Sequence, residues 1–197
     1  MVLQAKLDGL ATAVVRIGNL CNRYSDLVFQ RNHKENATLT KLKAFIDLGL
    51  FPEEMAGFAL EFSPVDYTSK AIIKLAQHYN NNYSVFHAYN PKAVRFADVA
   101  RMAGAAALKI KPVPVEHFIR EVQNTVQQPE IAYIHEAFIH DIGSDGRIAF
   151  QSNISLNNDF TTQFLRETGF EWCDIGGAYL EEYIKYFNKI GYWEAAK

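Results

Sequence analysis

The amino-acid sequence predicts an α/β fold followed by a mainly helical part. Helix-like and strand-like segments alternate over the first ninety residues, and the last hundred are dominated by helical periodicity. Between Gly9 and Gly18 lies a short β-branched run, Ala11 to Ile17, apolar on both faces. That pattern belongs to a buried strand of a parallel sheet.

The elements follow in order. Val2, Leu3, Leu7 and Leu10 share one helix face, and Gly9 ends that helix. The strand at 11–17 comes next, then an irregular polar stretch from Cys21 to Asn36. Leu39, Leu42, Phe45 and Ile46 mark a helix over 37–48, closed by Gly49, with Pro52 beyond it. A short strand is expected over 60–63. A helix over 65–76 follows Pro64, with Ile72, Ile73 and Leu75 on its apolar side. Residues 83–88 read as a strand and Asn90-Pro91 as a turn. Helices are expected over 96–107, 115–126 and 131–139, with an extended stretch at 108–113 and a turn at 143–146. A helix over 161–167 has Asn158-Asp159 as its N-cap, and a final one spans 179–190 before Gly191. Phe160, Phe164, Phe170 and Trp172 are expected to form core with Tyr179, Tyr183, Tyr186 and Phe187 between the last two helices.

Composition bounds the function. The 197 residues are 49% hydrophobic and 21% charged, enough for a sizeable core and without an 18-residue apolar run. A net charge of −2 argues against a strong grip on nucleic acid or anionic membrane. Cys21 and Cys173 make neither a disulfide framework nor a cysteine zinc site. Together with a polar start at Gln4, Lys6 and Asp8, they predict a reducing, cytoplasmic setting. Fourteen Phe and ten Tyr suit either a concave binding surface or a Phe-rich core.

Several motifs are excluded by spacing. No pair among the eleven glycines forms a dinucleotide turn, and there is no phosphate-binding P-loop or nucleophile elbow. His135 and His140 stand five apart, off the four-residue spacing that puts two ligands on one helix face. Tyr67, Ser69 and Lys70 look like a dehydrogenase pair but lack its spacing, and no Tyr in the chain has a Lys four residues later. Gly18-Asn19 is the strongest local candidate. It follows a parallel strand, where ligands of open α/β sheets bind. Its glycine permits close backbone approach, and its asparagine offers both donor and acceptor. An ordinary strand-to-loop turn is the alternative reading.

Taken together, Arg16-Ile-Gly-Asn-Leu20, Arg23-Tyr-Ser-Asp26, Phe29-Gln30, Glu35-Asn36 and Leu42 resemble the region after the catalytic helix in terminal thioester reductase domains of nonribosomal peptide synthetases. These domains follow the extended short-chain dehydrogenase/reductase plan. Glu61-Phe-Ser-Pro-Val-Asp66 with Ser69-Lys-Ala-Ile72, then Val85-Phe-His87 with Asn90-Pro91, resemble later segments of the same family in order. So do Asp159 to Leu165, Gly169-Phe170, Trp172, Tyr179 and Tyr183. Cys21-Asn22 departs from the family's small hydroxyl residue and Gly.

The resemblance implies a carboxyl half, with the Gly-rich NADPH loop and the Tyr-x-x-x-Lys pair lying upstream. It implies the end of a Rossmann-type nucleotide-binding sheet over 1–22 and 59–92. A mainly helical substrate-binding subdomain would take 23–58 and 93–197. Gly18, Asn19 and Leu20 would meet the nicotinamide end of NADPH, and Arg23, Tyr24, Phe29 and Gln30 would line the mouth of the substrate site, with no catalytic residue in the chain itself. The implied partners are an upstream Rossmann half and a phosphopantetheinylated carrier protein bearing an acyl or peptidyl thioester. The implied reaction releases an aldehyde or alcohol. Two other readings remain: a noncatalytic carrier-protein docking module, and a fragment of a sugar-nucleotide epimerase or dehydratase. Strand 11–17 is also expected to present an apolar edge for self-association.

Overall fold

A computed structural model describes residues 1–80, 82, 83, 85–143, 148 and 156–193. The helices are α1 (Val2–Leu7), α2 (Ala37–Leu48), α3 (Val65–Gln77), α4 (Phe96–Ala105), α5 (Val115–Asn124), α6 (Tyr133–Phe138), α7 (Asp159–Glu167) and α8 (Gly177–Lys189). The strands are β1 (Val14–Ile17), β2 (Leu20–Cys21), β3 (Leu50–Pro52), β4 (Ala59–Leu60), β5 (Ser63–Pro64), β6 (Val85–Ala88), β7 (Val94–Arg95) and β8 (Lys111–Val113). The strands pair two by two. β1–β6, β2–β5 and β3–β8 are parallel, and β4–β7 is antiparallel. This is an α/β fold, as the alternation of elements predicts. The turn expected at 143–146 falls outside the described residues beyond Gly143.

The chain divides into two compact units, each built from three segments. The first comprises Met1–Phe29, Glu61–Ala93 and Ser155–Ile175. Its centre is the β1–β6 pair, in register Val14 with Val85 through Ile17 with Ala88. Ala71 and Leu75 of α3, Phe86 and Ala88 of β6, Leu165 of α7, and Phe170 and Trp172 make its core. α3 buries Thr68, Ala71 and Leu75, whereas Ile72 and Ile73, expected inward, are exposed. The buried residues lie three and four apart and so share one face. β1 is also less buried than its all-apolar reading predicts. Among the described residues its strand partner is β6 alone, and Ile17 remains 46% exposed.

The second unit comprises Gln30–Leu60, Val94–Ile154 and Gly176–Lys197. α2 forms where expected because three local signals agree. Asn36 Oδ1 accepts the Leu39 N–H at 3.0 Å, Leu39, Leu42, Phe45 and Ile46 face inward, and Gly49 stops the helix at φ 71°. Phe45 lies 4.8–5.5 Å, centroid to centroid, from Phe96, Phe118 and Phe138. α8 buries Tyr179, Leu180, Tyr183, Ile184 and Phe187.

The single aromatic core expected between the last two helices is not what forms. Phe164, Phe170 and Trp172 pack in the first unit, while Tyr179, Tyr183 and Phe187 belong to the second. The unit division likewise puts residues 155–175 with the first unit instead of the helical part. The reason is packing: Leu165 of α7 is fully buried in one cluster with Leu75 and Phe86. Asn158 precedes α7 and makes no side-chain cap; its Nδ2 donates to the Tyr89 carbonyl at 2.7 Å.

Candidate functional site

The turn at Gly18-Asn19 lies beyond the carboxyl end of β1, in the position that open parallel sheets use for ligands. Glu61 reaches across to it. The Asn19 backbone N–H donates to Glu61 Oε2 at 2.7 Å, and a Cβ added at Gly18 would collide with the same carboxyl group. The glycine therefore serves close approach. Ser63 Oγ hydrogen-bonds the other carboxyl oxygen of Glu61 and accepts the Asn90 N–H at 2.9 Å. Asn90 Nδ2 in turn donates to the Cys173 carbonyl at 3.3 Å. One carboxyl group thus ties the end of β1 to β5 and to the turn after β6.

Burial pushes the Glu61 carboxyl above the usual carboxylate range, and the hydrogen bonds with Ser63 and Asn19 oppose this only in part. The Tyr89 phenol is raised by its own desolvation and then by the charges of Glu61 and Asp159.

The loop after β2 is held by two aspartates. Arg23 makes a two-pronged contact with Asp26, at 2.9 and 2.5 Å, which offsets its charge locally. Asp66, in the first turn of α3, accepts the Tyr24 N–H at 2.9 Å and the Ser25 N–H at 3.3 Å. The Tyr24 ring meets Tyr67 edge-on at 5.4 Å, and Lys70 Nζ stands 4.9 Å from the Tyr67 centroid. That ammonium lies over the ring, a cation–π contact. Desolvation first, then Cys173, Tyr24 and Asp66, raise the Tyr67 phenol, so it stays protonated and able to donate.

Gly18, Asn19 and Leu20 adjoin in the first unit, with Leu20 paired to Ser63. Arg23 and Tyr24 lie on the neighbouring loop of that unit. Phe29 is buried, 8% exposed. Gln30 begins the second unit, where its carbonyl accepts the His33 N–H at 3.1 Å. Sequence reasoning did not single out Glu61 or Asp66 as site residues, because each acts on a segment more than forty positions away.

No family model matches the chain. It is 26% identical over 187 residues to a linear gramicidin synthase of Brevibacillus parabrevis, covering 95% of this chain and 4% of that protein. It superposes on the thiolation-reductase di-domain of an archaeal nonribosomal peptide synthetase with a TM-score of 0.81 and 29% identity, covering 98% of this chain and 39% of that one. In sequence and fold the chain is similar to reductase domains of nonribosomal peptide synthetases. The terminal reductase domain of the myxalamid pathway has the same fold, with a TM-score of 0.79, 18% identity and coverage of 98% and 48%. The chain spans less than half of each of these relatives. A more distant fold neighbour, RMD from Pseudomonas aeruginosa, was solved complexed with NADPH (TM-score 0.52, 13% identity).

The turn at Gly18-Asn19 fits a nicotinamide group only by exchange. The Asn19 N–H is already accepted by Glu61, whose carboxyl group fills the space beside Gly18. A ligand carbonyl at this turn has to displace that carboxyl group. The sequence supplies no Gly-rich turn for a pyrophosphate.

Proposed function

We propose that the chain is the substrate-binding part of an NADPH-dependent thioester reductase that releases an acyl or peptidyl group from a carrier protein. The observation that carries this is the match to the archaeal di-domain along 98% of the chain. NADPH in such an enzyme supplies hydride to the thioester carbonyl. The C–S bond then breaks, the thiol leaves with a proton, and an aldehyde is released; a second reduction gives the alcohol. The first unit contributes the nucleotide-side scaffold, with Gly18, Asn19 and Leu20 nearest the nicotinamide. Arg23, Tyr24, Phe29 and Gln30 belong to the substrate side. Tyr24 and Tyr67 offer an aromatic wall, and the Tyr67 phenol offers a donor. The Tyr-x-x-x-Lys pair is not among this chain's residues, so hydride transfer needs groups supplied by another segment.

The test is binding of a carrier protein loaded with a phosphopantetheinyl thioester, compared with the same carrier lacking the arm. Tighter binding of the loaded carrier, weakened by Tyr24→Ala, is expected. Equal binding of both forms points to a docking module, and no binding of either overturns the proposal. Alone, the chain is expected to oxidise no NADPH with an N-acetylcysteamine thioester; turnover above background shows that it holds its own catalytic groups.

A further inference from the structure

The loop that carries Arg23 and Tyr24 is held in a strained shape. Leu27 sits at φ 62°, in the left-handed region, where its Cβ crowds the backbone. Glycine would adopt that conformation freely. A strained residue persists only where its surroundings fix the backbone around it, and here they do. The Leu27 N–H donates to the Arg23 carbonyl at 2.9 Å, and the Arg23 N–H donates to the Val28 carbonyl at 3.1 Å. Asp26 Oδ1 accepts the Val28 N–H at 3.1 Å, while the same carboxylate takes the Arg23 guanidinium. Residues 23–28 are thereby closed on themselves.

Those bonds set the shape of the loop, and Asp66 ties it to α3. Its Oδ1 accepts the Tyr24 N–H at 2.9 Å and its Oδ2 the Ser25 N–H at 3.3 Å. Oδ1 also accepts the Tyr67 N–H at 3.1 Å. One carboxylate therefore joins two successive backbone groups of the loop to the first turn of α3, a helix seated by buried Thr68, Ala71 and Leu75. In the loop it grips backbone. Val28 is 41% exposed, and the half-buried Tyr24 ring stands edge-on to Tyr67 at 5.4 Å. A fixed backbone thus fixes an aromatic edge.

We infer that Asp66 is a positioning residue for substrate recognition. It holds the Tyr24 backbone so that the Tyr24 and Tyr67 rings stand ready for the acyl thioester, and the ring pair need not be ordered anew on binding. The inference rests on the thioester-reductase reading, which assigns Tyr24 to the substrate side.

The experiment compares two affinities of the full chain: for a carrier protein bearing a hexanoyl phosphopantetheinyl thioester, and for the same carrier without the arm. Their ratio isolates recognition of the arm from docking of the carrier. Asp66→Ala should lower the ratio about tenfold, the order expected when one side chain must be ordered during binding. Asp66→Asn keeps an acceptor oxygen and should restore part of the loss. Leu27→Gly loosens the loop and should lower the ratio several-fold. Urea midpoints and far-ultraviolet circular dichroism are measured alongside, and ratios are read on variants that are folded. A merely structural role moves the urea midpoint and leaves the ratio alone. A ratio equal to that of wild type in every folded variant overturns the inference and leaves the thioester reading standing. If Asp66→Ala does not fold, Asp66→Asn and Leu27→Gly decide by the same criterion. A wild-type ratio of one overturns the thioester reading, and the inference with it.

Discussion

The Gly18–Glu61 contact shows how a long-range interaction can dictate a residue choice. Gly18 has no positive φ to justify it. What demands glycine is the carboxyl group lying against its α-carbon. Gly18→Ala should therefore destabilise the chain by about 1–3 kcal/mol, as Glu61 swings aside and gives up its hydrogen bonds with Asn19 and Ser63. Combined with Glu61→Ala, the cost should be smaller than the sum of the two, and urea denaturation of the four-membered cycle measures this. Additive effects contradict the contact. Glu61 also predicts a pH response. Its folded-state pKa is raised above the ordinary value of 4.5, so the folded chain holds this proton more tightly than the unfolded one. The resulting stabilisation is fully present below the unfolded value and disappears as pH rises through the folded one. Relative to wild type, Glu61→Gln should therefore gain stability as pH rises across that window. Parallel pH profiles for the two proteins would falsify the assignment.

At the scale of elements, local signals and tertiary packing part company. α2 was legible because cap, periodicity and stop signal all lie within its own residues. α7 was legible as a helix, but its destination was not. Phe160, Phe164, Tyr179 and Tyr183 look alike in a periodic pattern, which says which face is apolar without saying what covers it. The outward turn of Ile72 and Ile73 has the same origin, since Thr68 and Ala71 win the inward face by position alone. Among the described residues no strand pairs the second edge of β1, and Ala13 and Val15 line a groove of about 290 Å³ with Ile72, Leu75 and Tyr79. We propose that residues 11–17 mediate self-association through this edge. Val15→Lys should shift sedimentation toward monomer. A wild-type chain that sediments as a clean monomer at high concentration rules the edge out.

At the scale of the whole molecule, the sequence disclosed the α/β class and the order of its segments, while the assignment of segments to units emerged only from contacts. The same division explains the site. Gly18, Asn19 and Tyr24 were legible from their place after a strand and from family resemblance, whereas Glu61 and Asp66 reach them from a later segment. No periodicity announces a polar side chain that bridges distant parts of the chain. A chain ending at residue 154 should lose the packing of Leu165 against Leu75 and Phe86. Its β6 amides should then exchange with solvent far faster than those of the full chain. Protection equal to that of the full chain would show that α7 is dispensable.

The interleaving of segments also matters while the protein is being made. The first unit begins at Met1, yet it takes its last segment from Ser155–Ile175. At roughly 5–20 residues per second of synthesis, its opening strand waits on the order of ten seconds for the helix that completes its core. During that interval the apolar faces of β6 and α3 are without their cover at the ribosome. Slowing translation between residues 93 and 155 prolongs that exposure.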